Sequence, residues 1–187
     1  MKYLITGLGN IGSEYENTRH NIGFIILDAL AADLGAVFKS GRLASVAEAR
    51  YKGRTLVLVK PTTYMNLSGK AVKYWLAHEK LETDHLMVVH DDKDFPLGAV
   101  RLRKNGSGGS HNGINDIIFH LQSEEFPRLR FGIGNDYARG FQVDYVLGKW
   151  SREEEKLLLE RIPVAVDALK AFVTTGLDRS MNEFNKK

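Results

Sequence analysis

His20, Asp91, Asn10, Asn66 and Asn112 are the residues of this sequence whose types and spacing could do chemistry together. An imidazole kept neutral at physiological pH can take a proton from water, which makes His20 a candidate general base. Asp91 would hold the other ring N–H and stabilise the imidazolium that forms. Neutral amides orient water and donate to a developing oxyanion without adding charge, a part open to the three asparagines. There is no cysteine, and no serine sits in a G-x-S-x-G elbow, so the chemistry these residues suit is direct attack by water. Taken singly, each asparagine also suits a turn or cap, and His20 suits a capping or core-edge position. Their joint placement is the signal.

That placement follows from the elements the sequence predicts. KYLITGL (2–8) is a short apolar strand, and a glycine-rich bend of Gly7, Gly9, Asn10 and Gly12 follows it. A polar loop holding Tyr15 ends at Thr18, a candidate N-cap. Residues 20–34 make an amphipathic helix with His20 in its first turn, where the positive helix end disfavours an imidazolium. Residues 43–51 and 54–59 form a hairpin around Lys52-Gly53, a loop carries Tyr64 and Asn66, and 67–78 is a second helix. The strand 86–90 delivers Asp91 at its end. Residues 99–103 alternate as a strand with arginines on one face, 105–110 (NGSGGS) is a flexible loop, and a third helix runs from near His111-Asn112 to Leu121. Strands are expected at 129–134 and 142–148. Ser151 followed by Glu153 and Glu154 starts a helix reaching about Thr175, with Pro163 a kink or break, and a short helix covers 178–184. Alternating strands and helices imply a single α/β domain over 1–187, three layers with a twisted mixed central β-sheet flanked by helices. In open α/β sheets ligands bind beyond the carboxyl ends of the strands, and there the five polar residues fall.

Composition sets the outer bounds. The 187 residues are 43% hydrophobic and 26% charged, as in ordinary globular proteins. No apolar run reaches membrane-spanning length, and MKYLITGLGN lacks a signal-peptide h-region, so a cytoplasmic protein is expected. A chain without cysteine fits a reducing compartment and has no thiolate metal site. Net charge is +3, with Arg101, Arg103 and Lys104 clustered and Arg128 and Arg130 close together, which permits an anionic partner.

Three other readings compete. Gly7-Leu8-Gly9-Asn10-Ile11-Gly12 matches G-x-G-x-x-G, but a dinucleotide fold would start its helix within the glycines, and here the loop runs on through SEYENTRHN. His85, His90, Asp91, Asp92 and Asp94 look like a metal cluster, yet neighbours on a strand point opposite ways and no H-x-x-x-H pair is present. Gly106-Ser107-Gly108-Gly109-Ser110 before a helix could cradle a phosphate but lacks the G-K-[ST] of a P-loop, and it also suits a mobile lid.

With these residues assembled, the chain resembles bacterial peptidyl-tRNA hydrolases over nearly its whole length. GLGNIGSEYENTRHNIGF (7–24), KPTTYMNLSGKAV (60–72), HDDKDFPLG (90–98), SGGSHNGINDI (107–117) and LRFGIG (129–134) carry the resemblance in the family's order. It implies hydrolysis of the ester between a peptide and the 3′-terminal ribose of tRNA, recycling tRNA in translation and ribosome rescue. It implies His20 as base, Asp91 as its stabiliser, and Asn10 in preferring N-blocked peptidyl-tRNA. Tyr15, Tyr64, Asn66 and Asn112 would contact the peptide and acceptor end, while Arg103 and Arg130 would clamp the tRNA 5′-phosphate. No metal, no other cofactor, no membrane and a monomer are implied. A non-catalytic RNA-binding protein of the same fold is the alternative. Three positions depart from the family pattern: Ile11 where proline is usual, Lys93 where an apolar residue is common, and Ser110 in place of glycine.

Overall fold

A computed structural model describes all of residues 1–187. Its centre is a seven-stranded mixed sheet in the order β2-β3-β4-β1-β5-β7-β6. The strands are β1 (Lys2–Gly7), β2 (Lys39–Gly41), β3 (Ala44–Tyr51), β4 (Arg54–Pro61), β5 (Leu86–Asp92), β6 (Val100–Arg103) and β7 (Arg128–Gly132). β1, β4, β5 and β7 run parallel, so their carboxyl ends share one end of the sheet. β3 and β6 run antiparallel to their neighbours. β1 and β5 read as continuous apolar runs because helices cover both of their faces.

The helices are α1 (Ile22–Asp33), α2 (Ser68–Glu79), α3 (Asn112–Leu121), α4 (Gln142–Val146), α5 (Arg152–Thr175) and α6 (Leu177–Phe184). α1, α5 and α6 bury Ile26, Leu30, Leu169, Phe172 and Phe184 against Ile5, Leu58, Val89 and Leu102 on one sheet face. α2 and α3 bury Val72, Trp75, Ile114 and Ile117 against Leu4, Val59 and Val88 on the other. The three-layer α/β expectation holds.

Close approach of α1 to the sheet sets the position of the chain just before it. A Cβ on Gly23 would stand 2.5 Å from the Leu8 nitrogen and 2.5 Å from the Val89 carbonyl oxygen, closer than packed atoms tolerate. Glycine there lets the first turn of α1 lie directly on β1 and β5. α5 begins with a capping box, Ser151 accepting from the Glu154 N–H while Glu154 accepts from the Ser151 N–H.

Several boundaries differ from the sequence expectation. Within 142–148 the chain forms α4 (Gln142–Val146) and then a turn, not a strand. Val143, Tyr145 and Leu147 alternate, but Val143, Val146 and Leu147 also share a helical face, and that face lines a cleft. Period two and period 3.6 cannot be told apart over so few residues. α5 continues through Pro163 without a break. The missing N–H costs one bond, and Leu158, Ala165, Leu169 and Phe172 are buried on either side of it. β2 is a three-residue edge strand, too short and too polar to be read in advance.

Candidate active site

At the carboxyl ends of the parallel strands lies a cleft of about 420 Å³ lined by Asn10, His20, Asn66, Asp91, His111 and Asn112, with Arg103, Arg128 and Arg130 along one wall. Of the residues the sequence proposes for the site, Asn10, His20, Asn66, Asp91, Asn112, Arg103 and Arg130 line this one cleft.

His20 sits in a 3-10 turn, Arg19–Asn21, that leads into α1. Thr18 precedes that turn, but its hydroxyl donates to the Tyr15 carbonyl and caps no N–H. The turn is fastened by Arg19, whose guanidinium donates to Glu154 at 2.8 Å and to the Tyr145 carbonyl at 3.1 Å, and lies 4.2 Å over the Tyr145 ring. Asp91, at the end of β5, is 4% exposed. His20 Nδ1 lies 2.9 Å from both of its carboxylate oxygens. With Asp91 accepting, His20 carries its hydrogen on Nδ1 and turns an unengaged Nε2 to the cleft.

A second histidine, one the sequence reading did not single out, completes the cluster. His111 caps α3: its Nδ1 accepts the Ile114 N–H at 3.2 Å, and its Nε2 donates to Asp91 Oδ1 at 2.8 Å. Both ring nitrogens are thereby committed, so of the two imidazoles on the Asp91 carboxylate only His20 keeps a free lone pair. Histidine is an unusual helix cap, and its place between the glycine loop and Asn112 was the available signal.

The electrostatics corrects one expectation. Burial disfavours a charged His20, but the charge of Asp91 and its hydrogen bond outweigh burial and raise the His20 pKa above the ordinary 6.5. The helix start does not set it. Asp91 is the reverse case: burial would raise its pKa, yet the facing His20 and His111 hold it far below the usual carboxylate range. His90 is buried and held neutral, its pKa driven well below 6.5 by burial and then by His111.

His20, Asp91 and His111 are also the group that could meet a cation, sharing only Asp91 with the His85–Asp94 cluster that the sequence raises and argues against. Their ligating atoms all lie within 4.8 Å of one another. The spacing suits the hydrogen bonds present, and an ion would have to break them. His85 is remote from the group, with its Nδ1 on the Lys2 carbonyl.

The asparagines are prepared differently. Asn10 is 8% exposed, and its Oδ1 accepts the Met65 N–H at 2.7 Å, so its amide NH₂ is the unengaged end. Asn21 clasps the Asn10 backbone from both sides, at 2.8 Å each. Asn66 and Asn112 are exposed at the rim, and neither side chain is engaged within the protein. Tyr15 and Tyr64 meet edge to face at 6.4 Å, beside the Met65–Asn66 wall but not in it. Ile11 is exposed, Lys93 pairs loosely with Asp94 at 3.4 Å, and the Ser110 hydroxyl accepts from the Gln142 amide at 3.2 Å across the cleft.

Arg101, Arg103, Arg128 and Arg130 project from one face of the β6–β7 ribbon, Arg101 directly opposite Arg130 and Arg103 opposite Arg128. Arg128 is buried, and its pKa is lowered to about 10 by burial and by the neighbouring arginines. Arg128 Nη1 and Arg130 Nε are buried without a partner. Donors in that state favour an anionic ligand. Gly106, at φ +134, lies against the Arg103 guanidinium, so the glycine-serine loop crosses the charged wall.

The sequence and the fold are similar to those of known proteins. The sequence profile of the family described as peptidyl-tRNA hydrolase matches residues 4–187. A peptidyl-tRNA hydrolase of Cytophaga hutchinsonii is 54% identical over 187 residues, covering 100% of both chains. One from Phocaeicola vulgatus is 51% identical, again over 100% of both. A crystal structure of peptidyl-tRNA hydrolase from Acinetobacter baumannii superposes with a TM-score of 0.92 at 34% identity, covering 98% of this chain and 94% of that one.

Proposed function

This chain belongs to the peptidyl-tRNA hydrolase family, a premise from which we propose that His20 is the base that activates water against the ester of peptidyl-tRNA. The reaction is that of the family: hydrolysis of the ester joining a peptide to tRNA. The observation that carries the residue assignment is the His20–Asp91 contact of 2.9 Å, with the far ring nitrogen open to the cleft.

Water attacks the ester carbonyl as His20 Nε2 takes its proton. Asp91 stabilises the imidazolium, and His111 holds Asp91 in place by an N–H bond. The carbonyl oxygen becomes an oxyanion, which amide N–H groups of Asn10 and Asn112 stabilise. Collapse of the intermediate breaks the bond to the ribose 3′ oxygen, which leaves with the proton from the imidazolium. An alcohol leaves more readily than an amine, so no covalent enzyme intermediate is needed. Asn10 and Asn66 read the peptide main chain, with Asn10 favouring an N-blocked peptide. Tyr15 and Tyr64 offer faces to the acceptor end. Arg103 and Arg130 receive the 5′-phosphate, a reading supported by the unpartnered guanidinium nitrogen in the cleft wall. The enzyme works as a cytoplasmic monomer. No helix is long and apolar enough to cross a membrane.

The base must be unprotonated, and its pKa is raised, so kcat should fall as pH drops through a midpoint above 6.5. In Asp91→Asn the cause of the rise is gone and burial remains, so the midpoint should move down while kcat drops about 10²- to 10⁴-fold. Peptide release from N-acetyl-aminoacyl-tRNA, followed across pH for both proteins, checks this. An unchanged midpoint would remove Asp91 from the mechanism.

A further inference from the structure

β6 is the last strand of the sheet, and an edge strand leaves half of its backbone groups open. Here the open groups of Leu102 are closed by a side chain 83 residues away. The Leu102 N–H donates to Asn185 Oδ1 at 2.7 Å, and Asn185 Nδ2 donates to the Leu102 carbonyl at 3.0 Å. One amide thus does for Leu102 what a neighbouring strand would do. The residues around Asn185 extend the hold. Phe184 and Leu102 are buried in one core cluster, and Arg161 donates both to the Gly98 carbonyl just before β6 and to the carbonyl of Lys187, at 2.8 Å each.

The held strand has a reason to leave. Arg101 and Arg103 flank Leu102, and each faces another arginine directly across the ribbon. Like charges at opposed positions of an antiparallel pair repel, and burial together with that repulsion already lowers the Arg128 pKa to about 10 while the guanidinium stays charged. Within the sheet β6 pairs with β7 alone, so the repulsion acts to splay it away from β7. A bidentate amide on the strand's outer edge opposes that motion at the residue between the two arginines.

We propose that Asn185 is a positioning residue for substrate binding: it holds β6 so that Arg103 stays converged with Arg130 on the tRNA phosphate. The proposal rests on the reading of Arg103 and Arg130 as tRNA contacts. Asn185 itself touches no substrate.

The test is steady-state hydrolysis of N-acetyl-aminoacyl-tRNA by wild type, Asn185→Ala, Arg103→Ala and the double variant. Loss of one or two hydrogen bonds that hold a charged group corresponds to a KM rise of about five- to tenfold for Asn185→Ala, with kcat within about twofold of wild type. In the Arg103→Ala background the same change should add almost nothing, since the group it positions is gone. If Asn185→Ala leaves KM unchanged while Arg103→Ala raises it, the positioning role is wrong and the clamp stands. If Arg103→Ala leaves KM unchanged, the clamp reading fails and takes the positioning role with it. Additive effects in the double variant would show that Asn185 supports the fold at large, and would overturn the proposal. Should Asn185→Ala not fold, Asn185→Ser keeps one uncharged hydrogen-bonding group toward Leu102, and it should give a smaller KM rise with the same non-additivity.

Discussion

The two charged regions of this cleft are built on opposite plans. At the end of β5, Asp91 receives N–H groups from His20 and His111, and its hydrogen bonds are satisfied within the cluster. Along β6 and β7 four arginines face one another, and buried guanidinium nitrogen is left without a partner. A closed cluster keeps its geometry without substrate, which chemistry needs, because a base must already be aimed when the ester arrives. An open cluster stores repulsion that an anion relieves, which suits a part whose work is binding. The difference teaches that chemistry and affinity are carried by separate residues here, and that substitutions should split kcat from KM.

His111→Ala should give the largest of three graded effects. It removes the second donor to Asp91 and the cap of α3 together. Loss of a hydrogen bond to a charged group lowers kcat about 10- to 100-fold. The pH midpoint should move up, because Asp91 then has His20 alone to answer its charge. Asp91→Asn moves it down, so the two profiles separate the parts of one cluster. An unmoved midpoint in His111→Ala would cut it from the closed side of the comparison.

Arg130→Ala should act on the open side. KM rises about tenfold at low salt, and the slope of log affinity against log salt flattens by about 0.7 to 0.9 as one phosphate contact is lost. Filter binding to deacylated tRNA over a salt series reads the slope, and an unaltered slope would take Arg130 out of the clamp. Ser110→Gly should matter least. It removes one exposed bond to Gln142 between the glycine-serine loop and α4, and KM should shift about twofold or less. A larger change would make that contact part of the site.

How much of this was legible in the sequence depended on range. Asn10, Asn66 and Asp91 could be placed because each follows a strand whose apolar run is plain, and parallel strands gather their ends. The segment 142–148 was misread because seven residues satisfy both periods. His111 was passed over because a cap is a local role, and nothing local reveals that its ring reaches Asp91 from another layer. The raised His20 pKa was hidden for the same reason: the helix start was visible in the sequence and the Asp91 contact was not. Asn185 lies furthest from view. An asparagine near a chain end reads as a helix stop, and its pairing with Leu102 exists only once α6 has docked on the sheet.

The most direct test takes one preparation of His20→Ala and measures two quantities on it, single-turnover peptide release and affinity for tRNA. A general base contributes about 10²- to 10⁴-fold, so release should fall by that much while tRNA affinity stays within about twofold of wild type. Near-normal release, or a loss of affinity that matches the loss of release, would contradict the division of labour on which this account rests.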